Sequence, residues 1–113
     1  MIMDEQLKDI IHSILDGLQG EIEPQRLVLF GSRVSGNADA DSDLDLLIIA
    51  PSQDRPVDRR IKVRRLLREL DQNIGLDIIF YTPEEAALFA NEPASFLRQI
   101  LNTGVTIYEQ EHC

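Results

Sequence analysis

The chain has 113 residues, of which 43% are hydrophobic, and a formal net charge of −9. That length and composition are typical of one globular domain and exclude an intrinsically disordered chain, so we expect a single domain over residues 1–113. The negative charge argues against direct binding to nucleic acid or to an anionic membrane. No apolar run approaches the roughly 20 residues that cross a bilayer. The first residues show no basic segment and no apolar run typical of a signal peptide, and the one cysteine is Cys113, so we expect a cytoplasmic protein without internal disulfides.

The hydrophobic pattern predicts a mixture of helices and strands. Apolar residues spaced by three and four positions indicate helices, and short apolar runs bounded by glycine or proline indicate strands. Thr82 followed by proline and glutamate is typical of a helix start. In chain order we predict a helix at 4–18, strands at 27–30 and 44–50, a helix at 56–72, a strand at 76–81, helices at 83–91 and 94–102, and a strand at 105–108. This order is typical of an α+β fold in which helices pack against a small mixed β-sheet.

The predicted helix at 56–72 is the basic part of an acidic chain. Residues 55–68 hold seven of the eleven Lys and Arg residues and one acid, Asp58, so this segment carries a net charge of +6 against −15 for the rest. We predict that its apolar residues face inward, namely Val57, Ile61, Leu66, Leu67 and Leu70. The opposite face would then present Arg59, Arg60, Lys62 and Arg64. Such a face is either solvated or a docking surface for an acidic partner, and RNA is a weaker alternative because no aromatic residues accompany the charges.

Three aspartates stand in predicted strands, where carboxylates are unusual. Asp43 and Asp45 mark the start of the second strand, and Asp77 lies inside the third. Being two residues apart, the first two point to the same face with Cα atoms roughly 6.6 Å apart. If the basic helix is a crossover between parallel strands, Asp77 reaches the same end of the sheet. Ionised carboxylates on a largely buried strand need a compensating cation, and Mg²⁺ prefers such oxygen ligands.

A glycine turn follows the first predicted strand. In Phe30-Gly31-Ser32-Arg33 the backbone N–H groups and the Ser32 hydroxyl can bind a phosphate. Because an antiparallel second strand would return from this turn, the turn would face the carboxylates. A triphosphate bound there would meet Mg²⁺ held by the three aspartates, and Arg33 would neutralise further charge.

The spacing of these residues resembles that of a known superfamily, the DNA polymerase β-like nucleotidyltransferases. The resemblance is carried by two short runs, Gly31-Ser32 and Ser42-Asp43-Leu44-Asp45. The chain as a whole is similar to the smallest members, the MNT-domain proteins. The resemblance implies two Mg²⁺ ions bound by the catalytic residues Asp43, Asp45 and Asp77. It also implies a nucleotide-binding site formed by Gly31, Ser32, Arg33 and Ser42.

Many small MNT-domain proteins are the partners of HEPN-domain ribonuclease toxins. The resemblance therefore implies an antitoxin that transfers AMP from ATP to a hydroxyl, typically that of a tyrosine, on a HEPN-domain partner. The hydroxyl would attack the α-phosphorus in line with the departing pyrophosphate.

Two other functions stay open. A catalytically silent binding module would neutralise a HEPN ribonuclease by occlusion alone, and Val34-Ser35, where many minimal members carry Ala-Arg, favours this alternative. A small-molecule nucleotidyltransferase is the other, although the chain is short for the acceptor-binding domain that such enzymes carry. Leu88, Phe89 and Phe96 are predicted to be core residues. The alternative for the two phenylalanines is a surface for a partner or for a second copy of the chain, and in the second case the protein would be a homo-oligomer.

Overall fold

The computed structural model describes residues 5–31, 44–92 and 95–110 of the chain. Five helices and four strands lie within these ranges. In chain order they are α1 (Glu5–Leu18), β1 (Arg26–Phe30), β2 (Leu44–Ile49), α2 (Pro56–Leu66), α3 (Arg68–Ile74), β3 (Leu76–Tyr81), α4 (Pro83–Ala90), α5 (Phe96–Thr103) and β4 (Val105–Glu109). The four strands form one mixed sheet, which confirms the predicted α+β class. No helix in the described ranges has both the length and the apolar character that a membrane span needs.

The sheet brings together the starts of two strands that are far apart in the sequence. Its strand order is β3-β2-β1-β4, so β3 and β4 form its edges. Strand β1 is antiparallel to both β2 and β4. Strand β3 runs parallel to β2 because α2 and α3 form a crossover connection between them. This arrangement confirms the predicted topology, in which β2 and β3 start at the same end of the sheet.

Helices cover both faces of the sheet. Side chains alternate between the two faces along each strand, and both faces carry apolar residues that the helices bury. Helices α1, α2 and α3 pack on the face that carries Leu46 and Phe80. Helices α4 and α5 pack on the opposite face, which carries Val28 and Leu47. The hydrophobic core is thus divided between two layers, and the sheet separates them.

Two of the apolar residues that were predicted to lie in the core are exposed. Leu88 on α4 is 65% exposed and Phe96 at the start of α5 is 54% exposed. The prediction was wrong for this pair because the buried sides of the two short helices are occupied by Ala86, Leu97 and Ile100. Phe89 is partly buried and packs against the same cluster, as predicted.

The buried side of α2 also differs from the predicted one. Val57 and Ile61, which were predicted to face inward, are 56% and 51% exposed, whereas Arg59 and Val63 are buried. Leu67 continues the buried stripe, and the predicted single helix breaks there into α2 and α3. The predictions for Val57 and Ile61 were therefore wrong, and so was the placement of Arg59 on the outer face. The cause is that the inward stripe follows every fourth residue from Arg59, two residues or about half a turn out of phase with Val57 and Ile61.

Arg59 can be buried because groups on two other elements accept its hydrogen bonds and compensate its charge. Its Nη2 atom donates hydrogen bonds to the Phe80 carbonyl oxygen, at 3.2 Å, and to Glu85 Oε1. The guanidinium also lies over the Phe80 ring, 5.2 Å from the ring centroid. Glu85 in turn accepts a hydrogen bond from the backbone N–H of Thr82 in the capping box that starts α4. This buried cation thus joins α2, the end of β3 and the start of α4.

The same contacts give Glu85 a pH-dependent contribution to stability. Burial raises the pKa of Glu85, but the hydrogen bonds from Thr82 and the charge of Arg59 outweigh burial and lower the pKa below its ordinary value of 4.5. The ionised carboxylate therefore stabilises the fold above the unfolded-state pKa, and this contribution is lost as the pH falls through the folded-state pKa. We expect Glu85→Gln to lower the free energy of unfolding at neutral pH by about 1 kcal/mol, a small value because the carboxylate is 35% exposed and partly screened by solvent.

Urea denaturation at neutral and at acidic pH measures this difference. The loss of unfolding free energy caused by Glu85→Gln should shrink towards zero once the pH lies below the folded-state pKa of Glu85. Glu84→Gln, on the exposed side of the same helix, is the matched control and should change the stability little at either pH. An equal loss from Glu85→Gln at both pH values would show that the ionised pair does not contribute.

Candidate functional site

Asp45 and Asp77 lie side by side on adjacent strands. They are register partners in the parallel pair of β2 and β3, so their side chains point to the same face from backbones about 4.8 Å apart. Asp45 is half-buried and Asp77 is exposed. The structure therefore brings together two of the three predicted carboxylates. The third, Asp43, lies outside the described residues.

The two carboxylates stand at one end of a sheet face that is otherwise apolar. Asp45 is followed on the same face of β2 by Leu47, and Asp77 is followed on β3 by Ile79. Both apolar residues belong to the core layer beneath α4 and α5. The core thus fixes the two strands, while the exposure of Asp77 leaves their acidic end accessible to a ligand.

Gly31 brings the turn after β1 against the carboxylate of Asp45. Its φ angle of +93° is one that side-chain-bearing residues rarely adopt. A Cβ atom at this position would overlap Asp45 Oδ2 and would lie 3.0 Å from Asp45 Cγ. Phe30, the preceding residue, is the register partner of Asp45 on β1. Glycine is therefore needed at position 31 both for the backbone conformation and for the close approach of the carboxylate.

The described part of the site presents two neighbouring carboxylates, those of Asp45 and Asp77. Where the structure describes the chain, no group of three or more His, Cys, Asp or Glu side chains is placed to hold a metal ion. The other residues predicted to bind metal or nucleotide fall between positions 32 and 43, outside the described ranges: Ser32, Arg33, Ser42 and Asp43. Adjacent carboxylates such as those of Asp45 and Asp77 fit a hard divalent cation, and Mg²⁺ binds oxygen at about 2.0–2.1 Å.

An aromatic pair borders the acidic end of the sheet, and the sequence analysis did not assign it to the site. The Phe96 ring packs edge-on against Phe30, with ring centroids 6.1 Å apart and an angle of 80° between the planes. Because Phe30 pairs with Asp45, α5 begins next to the carboxylates. The sequence carries no signal for this position, because Phe96 lies four residues before Ile100 and helical spacing alone places the two on one side of the helix.

Solved structures share this fold. A toxin–antitoxin crystallised with AMP-PNP has 19% sequence identity and a TM-score of 0.58, with 89% of this chain and 74% of that chain covered. A mutant form of the toxin–antitoxin MntA-HpeT has 16% identity and a TM-score of 0.54, with 92% of this chain and 74% of that chain covered. BolA1 from Arabidopsis thaliana has 30% identity and a TM-score of 0.50, with 67% of this chain and 94% of that chain covered. The likeness to BolA1 leaves a third of this chain unmatched, whereas the other two extend over most of it.

The sequence also matches a protein family over most of its length. Comparison with curated proteins gives no match. The family model described as polymerase beta, nucleotidyltransferase matches residues 12–112, a range that includes Gly31 and all three aspartates. The chain therefore belongs to the polymerase beta nucleotidyltransferase family.

Proposed function

We propose that this protein is the antitoxin of a toxin–antitoxin pair and that it transfers AMP from ATP to a tyrosine hydroxyl of a HEPN-domain toxin. Family membership supports the reaction class, which is nucleotidyl transfer. One observation carries the position of the site. The parallel register sets Asp45 beside Asp77, and the Gly31 turn packs against the same carboxylate.

Two further features support the partner and the nucleotide. The solved structures with this fold include toxin–antitoxin proteins, one of them crystallised with AMP-PNP, an analogue of ATP. In the sequence, the run from Gly31 to Asp45 resembles that of MNT-domain proteins, whose partners are HEPN-domain toxins. Together they favour a nucleoside triphosphate donor and a protein acceptor over a small-molecule acceptor.

The chemistry assigns a role to each candidate residue. Asp43, Asp45 and Asp77 would hold two Mg²⁺ ions. When bound, these ions neutralise charge on the triphosphate and lower the pKa of the acceptor hydroxyl. The backbone N–H groups of the turn at Gly31 would bind the triphosphate, together with Ser32, Arg33 and Ser42.

The transfer itself exchanges one bond to phosphorus for another. The tyrosine oxygen forms a bond to the α-phosphorus while the bond to pyrophosphate breaks on the opposite side. We assign to Asp77, the more exposed of the two described carboxylates, the role of accepting the proton that the hydroxyl loses. The product is a tyrosine bearing AMP, with pyrophosphate released.

Labelling of a partner protein tests this proposal. The protein is incubated with α-³²P-labelled ATP, Mg²⁺ and a purified HEPN-domain toxin, and the acceptor residue is identified by mass spectrometry. We expect label on a tyrosine of the partner, and none when the divalent cation is chelated. If the partner's ribonuclease activity is suppressed equally well without ATP and no label is found, neutralisation occurs by occlusion and the transferase proposal is wrong.

A further inference from the structure

One side of the crossover helices exposes apolar and basic residues together. Val57 and Ile61 are among the exposed large hydrophobic residues of the described chain. They share a helical stripe with four arginines, because positions 57, 60, 61, 64, 65 and 68 recur at intervals of three and four residues. We call this surface the α2 basic face, and it comprises Val57, Arg60, Ile61, Arg64, Arg65 and Arg68.

The arginines of the α2 basic face are largely unpaired. Arg64 has a distant partner in Asp71, with 4.0 Å between nitrogen and oxygen. Within the described ranges, no carboxylate forms an ion pair with Arg60, Arg65 or Arg68. Like charges at such spacing repel one another, and the cost is offset when an acidic surface covers them. Unpaired cations on a protein with a net charge of −9 therefore favour an external acidic partner over a purely solvated surface.

The α2 basic face is also concave. A groove of about 440 Å³ extends along both α2 and α3, on either side of the break at Leu67. Its lining residues are Ile61, Arg64, Arg65, Arg68, Asp71 and Gln72. An apolar side chain can therefore rest on Ile61 while carboxylates reach the arginines around it, and a guanidinium can bind a carboxylate through two parallel hydrogen bonds.

We propose that this groove docks an acidic segment of a partner protein, with one apolar side chain of that segment seated against Ile61. A second copy of this chain fits less well, since two-fold pairing of the α2 basic face would set arginine against arginine. Single-stranded nucleic acid fits less well too, because the face has no aromatic side chain for base stacking and the net charge of the protein is negative. The inference goes beyond the proposed function and does not require nucleotidyl transfer.

Fluorescence anisotropy with a defined peptide tests the groove directly. The probe is a short, labelled, glutamate-rich peptide with a central leucine, titrated with the full-length protein at low and at physiological salt. We expect binding that weakens with salt. Both Ile61→Asp and the double variant Arg65→Glu with Arg68→Glu should weaken it by about tenfold or more. These side chains are exposed, so the variants should keep the wild-type unfolding temperature.

Matched controls separate the groove from general surface effects. Leu88→Asp changes an apolar residue on α4 that is also more than half exposed, and Arg98→Glu reverses an exposed arginine on α5. Both should bind the peptide like the wild type. Equal weakening by these controls, or equal affinity for a peptide with serine in place of leucine, would overturn the proposal. So would tighter binding of a single-stranded RNA oligonucleotide that Arg65→Glu with Arg68→Glu abolishes, or sedimentation showing self-association that Ile61→Asp abolishes.

Discussion

Replacing Asp45 by asparagine is expected to reduce nucleotidyl transfer by about 10³-fold while the protein stays folded. Asparagine keeps the shape of the side chain but removes the negative charge that we assign to Mg²⁺ binding. Because asparagine fills the same half-buried space, we expect the unfolding temperature to stay close to that of the wild type. Transfer of label from ATP to the partner measures the activity, and Mn²⁺ binding followed by electron paramagnetic resonance measures cation affinity independently.

Two further variants test this prediction, one at the neighbouring carboxylate and one as a control. Asp77→Asn should cause a similar loss of both activity and Mn²⁺ affinity, since the two carboxylates are register partners. Asp9→Asn removes an exposed carboxylate of α1 and should leave both unchanged. Near wild-type transfer by Asp45→Asn, or by the wild-type protein in excess EDTA, would contradict the metal site.

Gly31→Ala is expected to reduce transfer by about 10²-fold or more, through displacement of the Asp45 carboxylate. The added Cβ atom would overlap Asp45 Oδ2, and alanine at a φ of +93° strains the backbone as well. Either the turn or the carboxylate must move, and both belong to the proposed site. Isothermal titration with the nonhydrolysable analogue AMP-PNP, with and without Mg²⁺, should show the loss of nucleotide affinity.

Gly20→Ala is the control that separates backbone strain from the clash. Gly20 also has a positive φ, of +84°, but no atom lies within 4 Å of the position its Cβ would take. Alanine there should cost about 1–2 kcal/mol of stability, from backbone strain alone, and should leave AMP-PNP affinity unchanged. If Gly31→Ala binds AMP-PNP as well as Gly20→Ala does, the contact between Gly31 and Asp45 has no part in nucleotide binding.

Local patterns were sufficient to predict most of the fold. The strands could be recognised because their apolar runs end at glycine or proline, and the parallel pairing of β2 and β3 follows from the long crossover between them. The buried side of α2 could not be predicted in the same way. An arginine takes an inward position there because Glu85 compensates its charge. Glu85 lies 26 residues away in sequence, on another helix, so the local pattern does not reveal it. Only the three-dimensional structure shows that this charge is compensated.

The candidate site could likewise be predicted in part from the sequence. Asp45 and Asp77 stood out because carboxylates are unusual in apolar strands, and their convergence needed only the crossover rule. The sequence predicted that the Gly31 turn faces the carboxylates, but it did not predict that a Cβ atom at position 31 would overlap Asp45 Oδ2. The roles of all the site residues stay predictions, and for Ser32, Arg33, Ser42 and Asp43 the position does so too.

The position of β3 at the edge of the sheet gives Asp77 a second consequence. An edge strand presents unpaired backbone groups on which another chain can add a strand, and a charge on that strand discourages such pairing. Asp77 is the one charged residue of β3, whose other members are Leu76, Ile78, Ile79, Phe80 and Tyr81. A substitution that neutralises it therefore also weakens the protection of this edge against aggregation. For this reason the activity of Asp77→Asn has to be measured on protein shown to be monodisperse by light scattering.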